Sequence, residues 1–359
     1  MNISPALKVF AWLSFLAEVI IIGTGGAVRL TGSGLGCSEW PLCTPDSLVP
    51  IVADQGIHGI IEFGNRTMTG LVGILALAVL LLTLHAAGGK RPVLAAVWFA
   101  LGGIAAGVVA YFAAEALGWT GVIFFSSVLL LVVIAAAVAV TRVVPQRRDL
   151  VVLSSLVLIG VVAQAFVGGI TVWTGLNPFV VGFHYVSSLL LVCVTAAYLV
   201  RMYAADGARE RAVPRWYGIV VHATSLVLTV TIFFGVLTTG SGPHSGDADV
   251  IRDGFDATFL SHVHSWPGYA LFALALVIAI VAWTKDLPTR RWATAFVAVL
   301  VVQIGVGVWQ ANAALPPLLV GVHMVLAALS AATYVVVVLR LKRVSAQASA
   351  PRTEAVAAR

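Results

Sequence analysis

Apolar runs long enough to cross a bilayer follow one another along almost the whole chain, with short polar breaks between them. A helical crossing takes about 20 apolar residues. Ten such runs are present, near 7–29, 57–87, 93–113, 119–141, 150–173, 178–200, 215–238, 257–284, 292–313 and 318–340. In hydrocarbon every backbone polar group needs an internal partner, so runs of this length read as helices. With 60% hydrophobic and 10% charged residues, the chain has too little polar material to cover a water-facing surface. The sequence therefore predicts an all-α polytopic membrane bundle of about ten transmembrane helices. A polar loop with no A-x-A cleavage pattern follows the first run, which reads as a retained helix rather than a signal peptide.

The net charge of +6 suggests nucleic acid until its placement is considered. Lys8, Lys90, Arg91, Arg142, Arg147, Arg148, Arg201, Arg209, Arg211, Arg215, Lys285, Arg290, Arg291 and the cluster from Arg340 onward all fall on one side of a ten-crossing chain. Only Arg29, Arg66 and Arg252 lie elsewhere. Basic residues mark cytoplasmic loops, so a multi-pass protein of the cell membrane with both termini in the cytoplasm is expected. Its surroundings are the lipid bilayer and not nucleic acid. The tail 344–359 is low in apolar content and is expected to be disordered.

Residues 162–190 align without gaps to 301–329 and match at 11 of 29 positions. The informative matches are Gln164/Gln303, Gly168/Gly307, Pro178/Pro317, Gly182/Gly321 and His184/His323, all 139 residues apart. T-G-S-G occurs at Thr31–Gly34 and again at Thr239–Gly242. These markers imply two four-helix pseudo-repeats of parallel orientation, with two extra helices inserted in the first. The expected organisation is 1–200 with the insertion at about 93–141, then 201–343, then the tail.

Polar side chains inside a membrane are costly and point to function. Counting from the outer helix ends, Asn65, His184, His264 and His323 lie roughly 10–13 Å below the surface. The second repeat thus offers His264 and His323 at matched depth, and the first offers Asn65 with His184. Two imidazoles on separate helices of an apolar bundle are a usual way to hold haem iron; helix–helix hydrogen bonding is the plainer alternative. Zinc is a poorer fit, because no Cys or carboxylate joins the pair in its repeat. His58, Glu62 and Asn65 share a helical face. Glu62 is either an i,i+4 ion-pair partner of Arg66 or a carboxylate that moves protons beside a substrate. Cys37 and Cys43 in the first outer loop are either a structural staple or a redox pair. Arg29 is either an interfacial anchor or a partner for an anionic ligand group.

R-L-T-G-S-G-L-G-C-S-E-W-P-L-C after the first run, I-E-F-G-N-R in the second, G-G-I-T-V-W-T-G-L-N-P with the following His, and T-G-S-G-P-H-S-G-D together resemble haem A synthase. The resemblance implies oxidation of the C8 methyl of haem O to a formyl group, with haem b as cofactor in the second half. Carried over, His264 and His323 ligate haem b, His184 faces the substrate iron, Glu62 is the essential carboxylate, and Cys37 and Cys43 are the outer redox pair; for Arg29, pairing with a propionate and anchoring at the interface stay equally open. Partners implied are haem O synthase and cytochrome oxidase assembly proteins, and a homo-oligomer is compatible. The chain departs from the family pattern at Asn65, where a His is expected, and in the inserted helices. Either His184 is the single protein ligand to the substrate iron, which is the favoured reading, or His58 substitutes. The rival classes are a dihaem electron carrier without catalysis and an alternating-access transporter.

Overall fold

A computed structural model of the chain describes residues 3–244, 246–247, 250, 252 and 254–345. Ten helices cross the described chain: α1 Pro5–Leu30, α2 Val52–Gly88, α3 Lys90–Ala116, α4 Gly121–Val143, α5 Arg148–Trp173, α6 Pro178–Met202, α7 Arg215–Ser241, α8 Ala257–Thr284, α9 Arg290–Asn312 and α10 Pro317–Leu339. Each is long and apolar enough to span a membrane. Their starts follow local chemistry. Ser4 accepts from the Leu7 amide with Pro5 at the first helical position, Asn177 accepts from Phe179 and Val180 ahead of Pro178, and Asp256 accepts from Phe259. Each cap satisfies amides that a helix start leaves unpaired.

The helices assemble as two groups of four. In one, α1 packs on α2 and α6, α2 on α5, and α5 on α6. In the other, α7 packs on α8, α8 on α9 and α9 on α10, with α10 returning to α7. The groups meet where α10 lies against α1 and α6, and where α6 lies against α7. The hairpin α3–α4 attaches through α2 and α5 and buries almost nothing else. Its outward side chains include Trp98, Val109, Phe112 and Leu131, an apolar surface suited to lipid.

Backbone geometry repeats with the same 139-residue interval. Gly175 and Leu176 have φ of 59° and 58°, and Ala314 and Leu315 have φ of 58° and 55°. The Leu176 amide donates to Thr171 O at 2.8 Å, and Leu315 donates to Gln310 O at 2.9 Å. A left-handed residue other than glycine costs about 1–2 kcal/mol, so the second copy carries strain at Ala314 that glycine relieves in the first. At the opposite end Arg147 and Asp286 both have φ of 50°.

Three details differ from the sequence expectation. Gly56, with φ 56°, breaks α2 so that helix begins at Val52 and resumes after the break. The second T-G-S-G is not a loop: α7 continues through Thr239, Gly240 and Ser241, with Thr239 Oγ1 donating to Gly235 O at 2.7 Å. The tail boundary set at 344 lies too early, because β2 Lys342–Val344 pairs antiparallel with β1 Arg209–Arg211, and Ser345 donates to Ala208 O. Residues 346–359 of the expected tail lie outside the described residues.

Candidate functional site

The loop after α1 is closed by a disulfide between Cys37 and Cys43, both fully buried. Glu62 on α2 accepts from the Cys37 amide at 2.7 Å through Oε2, while Oε1 pairs with Arg66 Nη2 at 2.5 Å. Arg66 also donates to the carbonyls of Glu39 (2.9 Å), Leu42 (2.7 Å) and Cys37 (3.2 Å). The two readings of Glu62 are thus compatible: it is paired with Arg66 and it also faces a cavity. A buried ion pair holds when hydrogen bonds satisfy its remaining donors and acceptors, and here the Cys loop supplies them. Trp40 of the same loop lies across Gly169 and stands edge-on to Trp173 at 5.4 Å. The loop is therefore pinned to both α2 and α5.

Beneath it, α1, α2, α5 and α6 enclose a cavity of about 310 Å³ whose wall includes Glu18, Arg29, Glu62, Asn65, Gln164 and His184. That volume is at the lower end for small-molecule sites, about 300–1,000 Å³. His184 Nδ1 meets Gln164 Oε1 at 2.8 Å, and Gln164 Nε2 donates to His184 O and to Ser188 Oγ. An amide oxygen only accepts, so Nδ1 carries the proton and Nε2 keeps a bare lone pair. Asn65 Oδ1 accepts from Thr24 Oγ1 at 2.8 Å. His58 is not part of the cavity wall; its Nδ1 meets Ser33 Oγ at 2.9 Å. Arg29 donates to His244 O at 2.7 Å and to Thr239 O at 2.8 Å, tying the end of α1 to α7 and its loop.

In the other group His264 on α8 and His323 on α10 approach with ring centroids 6.2 Å apart and planes at 84°. His264 Nδ1 donates to Thr231 O at 2.9 Å, leaving Nε2 bare. His323 takes a 3.3 Å contact from Gln303 Nε2, while its Nδ1 and the Gln303 Oε1 are buried without partners. Small residues make room for both rings. A Cβ on Gly235 would come within 2.8 Å of His264, and one on Gly307 within 3.0 Å of His323. A Cβ on the equivalent Gly168 would meet His184 only at 3.7 Å.

The two imidazoles have the donor chemistry that a haem takes. Two metal–imidazole bonds of about 2 Å each, with the half-rings behind them, span roughly the observed 6.2 Å. The orphaned His323 nitrogen and the two glycine recesses match rings built to meet something. Among the described residues no third His, Cys, Asp or Glu joins the pair as a metal cluster. A porphyrin supplies its own equatorial ligands and needs only the axial two.

The importance of Arg66 as the clamp on the Cys loop, and of the glutamines as partners of the histidines, goes beyond the sequence reading. The signal for Gln164 and Gln303 was their identity across the repeat. Nothing in the sequence marked Gly235.

A family model described as cytochrome oxidase assembly protein matches residues 8–124. The chain is 37% identical over 81 residues to a heme A synthase of Exiguobacterium sibiricum, covering 22% of this chain and 26% of that protein. It is 39% identical over 77 residues to the heme A synthase of Geobacillus kaustophilus, covering 20% of this chain and 22% of the relative. Over these segments the chain is similar to heme A synthases. The matched segment spans about a quarter of the length of those relatives. A protoheme IX farnesyltransferase of Thermus thermophilus is 34% identical over 84 residues, 23% of this chain and 13% of that protein.

Proposed function

We propose that the chain is a haem A synthase that oxidises the C8 methyl of haem O to a formyl group within the membrane. One observation carries the reading: a facing pair of imidazoles in one four-helix group, next to a cavity in the other that holds His184 and Glu62. On this reading the first repeat receives haem O and the second holds haem b. His264 and His323 would hold that haem b, and Gly235 and Gly307 leave room for the two rings. When bound, haem b supplies the one-electron chemistry that side chains lack.

In the first repeat His184 presents Nε2 to the substrate iron, with Gln164 fixing its tautomer as an outer hydrogen-bond partner does for metal-bound histidines. Asn65 is a poor iron ligand and His58 is occupied with Ser33, which supports one protein ligand on the substrate side. That single imidazole also speaks against a carrier with two permanent haems. Glu62 accepts protons at the oxidised carbon, with Arg66 and the Cys37 amide holding it in place. The Cys37–Cys43 disulfide caps the cavity as an acceptor of electrons from that side. Arg29, on the cavity wall, pairs with a propionate. We place the Cys loop outside the cytoplasm, the termini inside it, and the helices in the cell membrane. The similarity to a protein named protoheme IX farnesyltransferase supports a haem substrate and a haem O synthase as supplier.

Pigment extraction from wild type, His323→Ala and His184→Ala tests the assignment. His323→Ala loses the b-type pigment; His184→Ala keeps it but yields no haem A. Equal pigment in all three overturns the proposal, and two haem b per wild-type chain with no haem A or alcohol intermediate favours the carrier.

A further inference from the structure

We propose that Glu18 and a hydroxyl-lined water site beneath it form a proton route from the cavity to the basic end of the bundle. Glu18 is 2% exposed, sits on the cavity wall, and its Oε1 has no hydrogen-bond partner. It lies on α1 about 18 Å from the Cys-loop end of that helix, away from Arg29 and Arg66, the cations on the same wall. A buried carboxyl group is costly without a partner, and nothing in the reading of Glu62 and His184 uses this one.

One turn below on the same face of α1 is Ser14, which with Ser154, Thr195 and Tyr198 surrounds a second cavity of about 10 Å³. That is about the space one water requires, provided it has two to four polar partners. The direction of the hydrogen bonds decides what the site accepts. Ser154 donates to Leu150 O at 2.8 Å, and Thr195 donates to Val192 O at 2.9 Å. Thr83 donates to Val79 O, so Tyr198, 2.6 Å from Thr83 Oγ1, donates its own proton there. Three of the four oxygens therefore present lone pairs, the arrangement that suits a water donating its hydrogens or a hydronium ion. Each hop breaks one O–H bond and forms another, so no oxidant or reductant is consumed. Below Tyr198, one turn along α6, the Arg201 carbonyl accepts from Arg147, which pairs with the partly exposed Asp149.

The other four-helix group keeps only part of this column. α7 buries Tyr217, Val221 and Thr224, with Val227 and Leu228 packed on its core, the same spacing as Leu7, Ala11, Ser14, Ala17 and Glu18. By this burial spacing Leu228 stands where Glu18 does, and Thr224 where Ser14 does. At the repeat interval, Ser154 and Tyr198 correspond to Ala293 and Val337, both fully buried in an apolar core. The second group buries hydroxyls too, with Tyr334 at the repeat position of Thr195, but it places no carboxyl group there and replaces Ser154 and Tyr198 by apolar residues. The use of the route to carry protons of a haem oxidation rests on the proposed function, whereas the route itself does not.

The test follows hydrogen–deuterium exchange of the Glu18 carboxyl in the purified full-length protein without added haem. Its infrared C=O band is the one that disappears in Glu18→Gln. The route predicts that exchange in D2O slows on the order of tenfold or more in Ser154→Ala and in Thr195→Val, each losing a hydrogen-bonded link. It is unchanged in Ser330→Ala, which removes a hydroxyl equally buried in the second group. Tyr198→Phe, which deletes a single oxygen, gives the same slowing and serves where the other variants misfold. Exchange as fast as wild type in Ser154→Ala, Thr195→Val and Tyr198→Phe overturns the route, as does the lack of any band lost in Glu18→Gln. Because haem is not needed, failure here leaves the pigment result standing, and the reverse also holds.

Discussion

The first four-helix group encloses a polar cavity, while the second brings two imidazoles edge to face, although the two share a sequence repeat. Gln164, Gly168 and His184 recur as Gln303, Gly307 and His323. In the first copy the glutamine uses its oxygen on the histidine Nδ1 and its amide nitrogen on the histidine carbonyl. In the second the same pair is left with an unpartnered amide oxygen and ring nitrogen, and a second histidine, His264, faces across. The two copies share backbone geometry down to the left-handed turns at Leu176 and Leu315. Chemistry then diverged at the few positions that point inward.

The glycines offer the sharpest way to break this comparison. Gly307→Val and Gly235→Val force branched side chains into space held by His323 and His264, and complete loss of bound b-type pigment is expected in absorbance spectra. Gly168→Ala, with ordinary contact to His184, keeps that pigment. Loss in all three would mean that the recesses do not distinguish the halves. Arg66→Ala leaves Glu62 buried without its cation and frees three loop carbonyls; removing one partner of a buried pair costs about 3–5 kcal/mol. It is expected to lower the thermal unfolding midpoint and expose the Cys loop to protease. Cys37→Ser with Cys43→Ser removes a short cross-link, and for so small a loop the cost is about 2 kcal/mol, read in the same unfolding experiment. Arg29→Ala removes two charge-assisted bonds joining the groups, a loss of about 1.5 kcal/mol. Its effect on unfolding should be the smallest of the three, because Arg29 is half-buried.

Much of the fold was legible because bilayer length and apolar periodicity act locally. All ten helices follow from runs of the right length; that α3 and α4 are an insertion is a reading of the repeat markers alone. Candidate residues were legible where they broke an apolar run: Glu62, His184, His264 and His323 are expensive in a helix interior wherever the chain folds. Glu18 was equally visible but had no motif to explain it. His58 shared the helical face of Glu62, yet its partner, Ser33, came from the loop before. The second T-G-S-G carried the letters of a loop, and the helix ran through it.

Chain chemistry alone determined that this protein has many apolar crossings, that they duplicate, and which polar groups must be accommodated among them, because desolvation cost is a property of each residue. Only the packing of separate helices decided that two rings lie 6.2 Å apart, that Arg66 grips the Cys loop, and that four hydroxyls surround one water-sized space. Such distances depend on helices far apart in the chain, and no local pattern encodes them.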